Sequence, residues 1–75
     1  MKNVTKLKDG QKGIVAALDG DAWFLSRISA IGLTPGCHVE ILRNKSRQPV
    51  LLYSRDTMIA VSRREGEKIW LEVIE

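Results

Sequence analysis

The sequence predicts a mainly β fold: a small, partly open barrel of about five short strands, with one α-helix inserted after the first strand. Three observations carry this expectation. Glycine, proline and Asp-Gly steps cut the chain into short segments. Only one segment, Ala22 to Ile31, has helical periodicity. Beyond Gly36 the apolar residues recur at every second position. A chain of 75 residues is half of a typical domain, so residues 1–75 are expected to form one unit. At this size folding buries only about 60% of the unfolded chain's surface, and stability should be modest.

Thr5 to Gly10 reads as an opening loop with Asp9-Gly10 as a turn. Gly13 to Leu18 is a short apolar run suited to a buried strand. Asp19-Gly20-Asp21 is the next turn, and Asp21 is placed to cap a helix. At about 100° per residue, Phe24, Leu25, Ile28 and Ile31 fall on one stripe, with Trp23, Ser26 and Ala30 opposite. Gly32 stands where a left-handed glycine ends a helix, and Pro35 prevents its resumption.

Cys37, Val39 and Ile41 then share one strand face, while His38, Glu40 and Leu42 take the other. Arg43 to Gln48 is a polar hairpin loop, and Pro49 leads the returning strand Val50 to Ser54. Arg55-Asp56 connects tightly to Thr57–Ser62, where Ile59 and Val61 point one way. Arg63 to Lys68 is polar and is read as a single helical turn. Ile69 to Ile74 closes the chain, with Ile69, Leu71 and Val73 on one face and Trp70 on the other.

Composition narrows the function. The chain is 44% hydrophobic and 28% charged, an ordinary globular balance. Twelve basic against nine acidic residues leave +3, spread along the chain, which allows a nucleic-acid partner without arguing for one. A single cysteine excludes an internal disulfide framework and a zinc ribbon, and favours the reducing cytoplasm. Met1 to Gly13 shows no apolar signal-peptide core, and no apolar run is long enough to span a bilayer. The one histidine has no evident carboxylate or nucleophile companion, and the phosphate-cradling glycine–lysine loop is absent. The chain is therefore expected to be a cytoplasmic protein, not an enzyme, and without a cofactor.

The segment Arg27 to Gly36, followed by the alternating strand Val39 to Leu42, resembles the FeoA family. The pattern extends to Leu7, Gly10 and Gly13 before it, and to Pro49–Tyr53, Ile59-Ala60-Val61 and Ile69–Val73 after it. Two positions depart from the family: Gly66 stands in place of an alanine, and Arg55-Asp56 in place of a glycine. The resemblance implies an SH3-like barrel that serves bacterial ferrous-iron uptake as an accessory module. It also implies a partner, the FeoB permease, a membrane protein with a GTP-binding domain. Gly32, Leu33, Pro35 and Gly36 carry the resemblance, and backbone geometry explains them, so they mark the fold more than a binding site.

Candidate contact residues are Trp23, Arg27, Arg43 and Arg47. Trp23 is either an exposed docking anchor or is covered by Val4 and Leu7 folding over the helix. Trp70 carries the same ambiguity. Arginines 43, 47, 55, 63 and 64 lie in loops from which a finger could reach a GTPase site, though a solvated surface role is the simpler reading. Cys37 and His38 are adjacent on a strand and point to opposite faces, so one metal ion could not easily take both. Asp19 and Asp21 are explained by the turn and the cap. A second functional class is a regulatory or nucleic-acid-binding barrel like the C-terminal domains of metal-dependent repressors, but no helix-turn-helix and no sheet face of stacked aromatics is legible.

Overall fold

The structure, a computed structural model, describes residues 1–74. Its strands are β1 (Lys2–Asn3), β2 (Lys12–Leu18), β3 (His38–Arg43), β4 (Val50–Ser54), β5 (Thr57–Val61) and β6 (Ile69–Val73). Helix α1 spans Ala22–Ala30, and a single turn, α2, spans Arg63–Gly66. A 3-10 turn, Val4–Lys6, follows β1. The strands form one antiparallel sheet in the order β1-β6-β2-β3-β4-β5, curved but not closed, with β1 and β5 at its edges.

The alternation read from the sequence is the alternation of burial. Val39 and Ile41, Val50 and Leu52, Ile59 and Val61, and Ile69 and Leu71 all point into one core, joined by Val15, Leu33 and Cys37. From α1 the core receives Phe24 and Ile28, with Ile31 packed at its margin. Each fully buried aliphatic side chain of this kind contributes about 1.5–3 kcal/mol of transfer free energy.

Five features differ from the sequence expectations. The sheet has six strands, because Lys2–Asn3 pairs with Leu71 and Trp70. Val4 and Leu7, expected near a loop, are core residues. Strand β2 is half-buried, with a bulge between Val15 and Ala17 and an exposed Ala16. On the predicted helical stripe Leu25 is 38% exposed, because a helix this short rests on the core through Phe24 and Ile28 alone. On β6, Val73 lies past the edge of the core and is exposed.

The two departures from the family pattern have local causes. A Cβ at Gly66 would lie 2.8 Å from Val4 Cγ2 and 3.0 Å from Thr5 Cγ2, so the 3-10 turn occupies the space of a side chain there. Arg55 and Asp56 both have positive φ, 52° and 59°, and form a two-residue connection from Ser54 to its partner Thr57. That is the type I′ geometry whose twist matches the flanking strands, here built without glycine.

Candidate interaction surface

Helix α1 begins where Asp21 Oδ1 accepts the Phe24 N–H at 2.8 Å, satisfying one of the free donors of the first turn. This cap fixes the phase of the helix. Phe24 turns inward, with Lys68 Nζ 5.1 Å from its ring centroid. Trp23, one position earlier, therefore turns outward and is 75% exposed. Val4 and Leu7 do not cover it; they fill the core instead. Arg27 follows one turn later on the same side of α1, and its Nε donates to Glu65 Oε2 at 2.6 Å.

The glycine after α1 completes a Schellman turn. The Leu33 N–H donates to Ile28 O at 3.1 Å and the Gly32 N–H to Ser29 O at 3.0 Å, with Gly32 at φ +99°. Leu33 and Ile28, the two apolar residues such a turn brings together, are both fully buried. Gly36, at φ +94°, then donates its N–H to Val15 O at 2.8 Å and ties the segment to β2. Gly32, Leu33 and Gly36 thus shape the backbone that holds α1, with Pro35 exposed between them.

Arg43 ends β3 beside a bulge, and Arg47 lies in the β3–β4 connection with φ 64°. Both are exposed, and neither enters an ion pair or side-chain hydrogen bond among the described residues. Their hairpin is held by Asn44, which sequence reasoning did not single out, and by Arg63, read from the sequence as one of five loop arginines and found on α2. Asn44 donates through Nδ2 to Leu7 O at 2.6 Å and Thr5 O at 3.0 Å, and its backbone N–H donates to Asp9 Oδ1 at 2.8 Å. Arg63 Nη1, from α2, donates to Asn44 Oδ1, Lys45 O and Gln48 O at 2.8, 2.9 and 3.2 Å. The four candidate contact residues therefore fall into two pairs, Trp23 with Arg27 and Arg43 with Arg47. Helix α2 links them, holding Arg27 through Glu65 and the hairpin through Arg63. The Ser62-x-x-Glu65 spacing was a legible capping signal; nothing in the sequence announces the carbonyls that Arg63 gathers.

Cys37 is buried and His38 exposed, on opposite faces of the sheet. Burial pushes the Cys37 thiol up, but hydrogen bonding to Thr34 and the nearby Arg55 outweigh it and leave the thiol below its ordinary value. Among the described residues no three acidic, histidine or cysteine side chains are grouped to hold a metal ion. A shallow groove of about 270 Å³ lies on the His38 face, lined by Lys12, His38, Glu40, Tyr53 and Arg55. Trp70, half-buried, borders a wider depression with Met1, Ala17 and Leu18.

An open antiparallel sheet with one helix after β2, and a helical turn leading into the last strand, defines a small SH3-like β module. The family model described as the FeoA domain matches residues 2–73, and the chain belongs to the FeoA family of small accessory domains associated with ferrous-iron transport. No curated protein matches the sequence. The fold is similar to a crystal structure of an iron uptake regulatory protein, FeoA, with a TM-score of 0.92 and 19% identity over 96% of both chains. It is also similar to FeoA of Stenotrophomonas maltophilia complexed with zinc, described as a prokaryotic SH3 domain protein. That match has a TM-score of 0.79 and 17% identity, over 96% of this chain and 91% of the other. A manganese-dependent transcriptional repressor contains the same fold, with a TM-score of 0.90 and 16% identity over 97% of this chain. This chain spans 41% of that repressor. No helix among the described residues is long and apolar enough to cross a membrane.

Proposed function

We propose that this chain is a cytoplasmic accessory module of ferrous-iron uptake that docks on a FeoB-type GTP-binding permease through the exposed face of α1. Residues 1–75 act as one unit, without catalysis and without a bound cofactor. The observation that carries this reading is Trp23, 75% exposed on a helix whose other aromatic, Phe24, is buried. A large exposed indole beside small residues is the kind of anchor that supplies most of an interface's energy. Arg27 borders it, paired with Glu65, and Arg43 and Arg47 on the β3–β4 hairpin, unpaired among the described residues, form a second contact that suits an acidic partner surface.

Affinity capture from bacterial membrane extract, comparing wild type with Trp23→Ala, tests the proposal. Recovery of the GTP-binding iron permease by wild type alone is the expected result. Equal recovery by both proteins would remove α1 from the interface.

The likeness to the repressor favours a second reading, a regulatory domain, which predicts nucleic acid or a repressor partner among the captured material in place of the permease. Salt-steep binding of DNA or RNA would be its signature.

A further inference from the structure

The positive charge that the sequence spreads along the chain is gathered by the fold at one end. Pairing of Val50 with Val61 sets the β3–β4 connection beside the start of α2. Arg43, Lys45 and Arg47 stand on that connection, and Arg63 and Arg64 open α2. Arg63 lies directly on the hairpin carbonyls. Asn44 Nδ2 donates to Thr5 O and Leu7 O, and so draws the segment Thr5 to Asp9 to the same place. Leu7 is buried, and Lys6 and Lys8 on either side of it are exposed. Three segments distant in sequence thus bring together seven of the twelve basic residues. None of the seven is ion-paired among the described residues.

Few carboxylates oppose them. Asp9 Oδ1 accepts the Asn44 N–H at 2.8 Å, and Glu67 is exposed just after α2. Glu65 is taken by Arg27. Setting Asp9 and Glu67 against the seven cations still leaves an excess of five. Asp19 and Asp21 lie beyond the opposite end of β2. The excess is therefore one-sided, and its field turns this end of the protein toward an anionic surface.

The kind of anion follows from what accompanies the cations. None of the chain's aromatic residues lies in these three segments, so single-stranded bases find no platform to stack on. Helix α2 is a single turn, too short to enter the groove of a duplex. Leu42, at the bulge of β3 beside Arg43, is 36% exposed and sets an apolar contact among the cations, as at a lipid–water boundary. Exposed lysines and arginines on an open surface suit headgroups that move laterally to meet them. We infer that this end of the protein binds the anionic lipid headgroups of a bilayer. For Arg43 and Arg47 the inference names lipid, and not protein, as the acidic surface they meet. It does not rest on the docking of α1, since Trp23 lies at the Asp21 end of that helix and stays open to a protein.

The test is co-sedimentation of the full chain with vesicles of phosphatidylcholine alone and of phosphatidylcholine mixed with phosphatidylglycerol. Binding is expected to the mixed vesicles alone, and should fall steeply as salt rises. Arg47→Gln should weaken it about fivefold, and Lys6→Gln with Lys8→Gln about 25-fold, because each basic residue near an anionic surface adds its own share. These three side chains are exposed and unpaired among the described residues, so their removal leaves the fold intact. Arg55→Gln removes a charge held at Thr34, away from this end, and should leave binding unchanged. Equal weakening by Arg55→Gln and Arg47→Gln would mean that net charge alone binds, which overturns the inference. So does equal binding to both kinds of vesicle, or tighter binding of duplex DNA or RNA than of mixed vesicles at the same salt. No binding to either vesicle at millimolar lipid and low salt also overturns it, and returns Arg43 and Arg47 to a protein surface.

Discussion

Arg27 on α1 reaches across to α2 and donates from Nε to Glu65 Oε2 at 2.6 Å, while the other oxygen of Glu65 accepts the Ser62 N–H at 3.0 Å. Ser62 Oγ in turn accepts the Glu65 N–H at 3.1 Å, which completes a capping box. One carboxylate thus holds the start of α2 and the middle of α1 together. Arg63, next in the chain after Ser62, holds the β3–β4 hairpin.

Losing the cap should be measurable even in a single-turn helix. Ser62→Ala is expected to cost about 1 kcal/mol, read as a shift in chemical denaturation midpoint. Arg27→Ala, which removes an exposed partner and leaves the box intact, should cost less than Ser62→Ala.

The same carboxylate makes stability depend on pH. Arg27's hydrogen bond, assisted by bonds to Ser62, holds the Glu65 carboxyl below its ordinary range. A group whose folded pKa is lowered stabilises the fold above its unfolded pKa, and that contribution is lost as pH falls through the folded value. The stability gap between wild type and Glu65→Gln should therefore be largest near neutral pH and close on acidification. A gap that stays constant would show that the ion pair does not govern it.

Gly32 tests the helix terminus. A Cβ there meets nothing within 4 Å, so any penalty comes from φ +99° alone. Gly32→Ala should cost about 1 kcal/mol and Gly32→Val about 1–3 kcal/mol. Unchanged thermal stability would mean that the residue leaves this conformation freely.

Gly66 tests packing instead. Gly66→Ala should destabilise by about 1–3 kcal/mol by forcing Val4 and Thr5 outward. Val4→Ala in the same chain should recover part of that loss, a coupling that a double-mutant cycle measures.

These predictions follow the line between what the sequence made legible and what it did not. Asp21 and Gly32 marked both ends of α1 because capping is local chemistry, written within three residues of each terminus. The strands after Gly36 were legible because one buried face imposes a period of two. Strand β1 was not: Lys2–Asn3 is too short for any periodicity, and its pairing with β6 is made across nearly the whole chain. The burial of Val4 is equally nonlocal, depending on a glycine 62 positions later. Leu25 misled because a helical wheel cannot tell how wide a stripe the core will cover. Trp23 was visible as a candidate, but its exposure depended on where Val4 and Leu7 pack.

The central claim is that Trp23 is an anchor and not a core residue. Trp23→Ala should change stability by no more than a surface substitution does, about 0.5 kcal/mol, because the side chain is 75% exposed. The decisive measurement is the affinity of purified, nanodisc-embedded FeoB-type permease for wild type and for Trp23→Ala. The account predicts a loss of about thirtyfold or more, the signature of a hot spot, with the fold intact. Equal affinities, or a large drop in melting temperature, would contradict it.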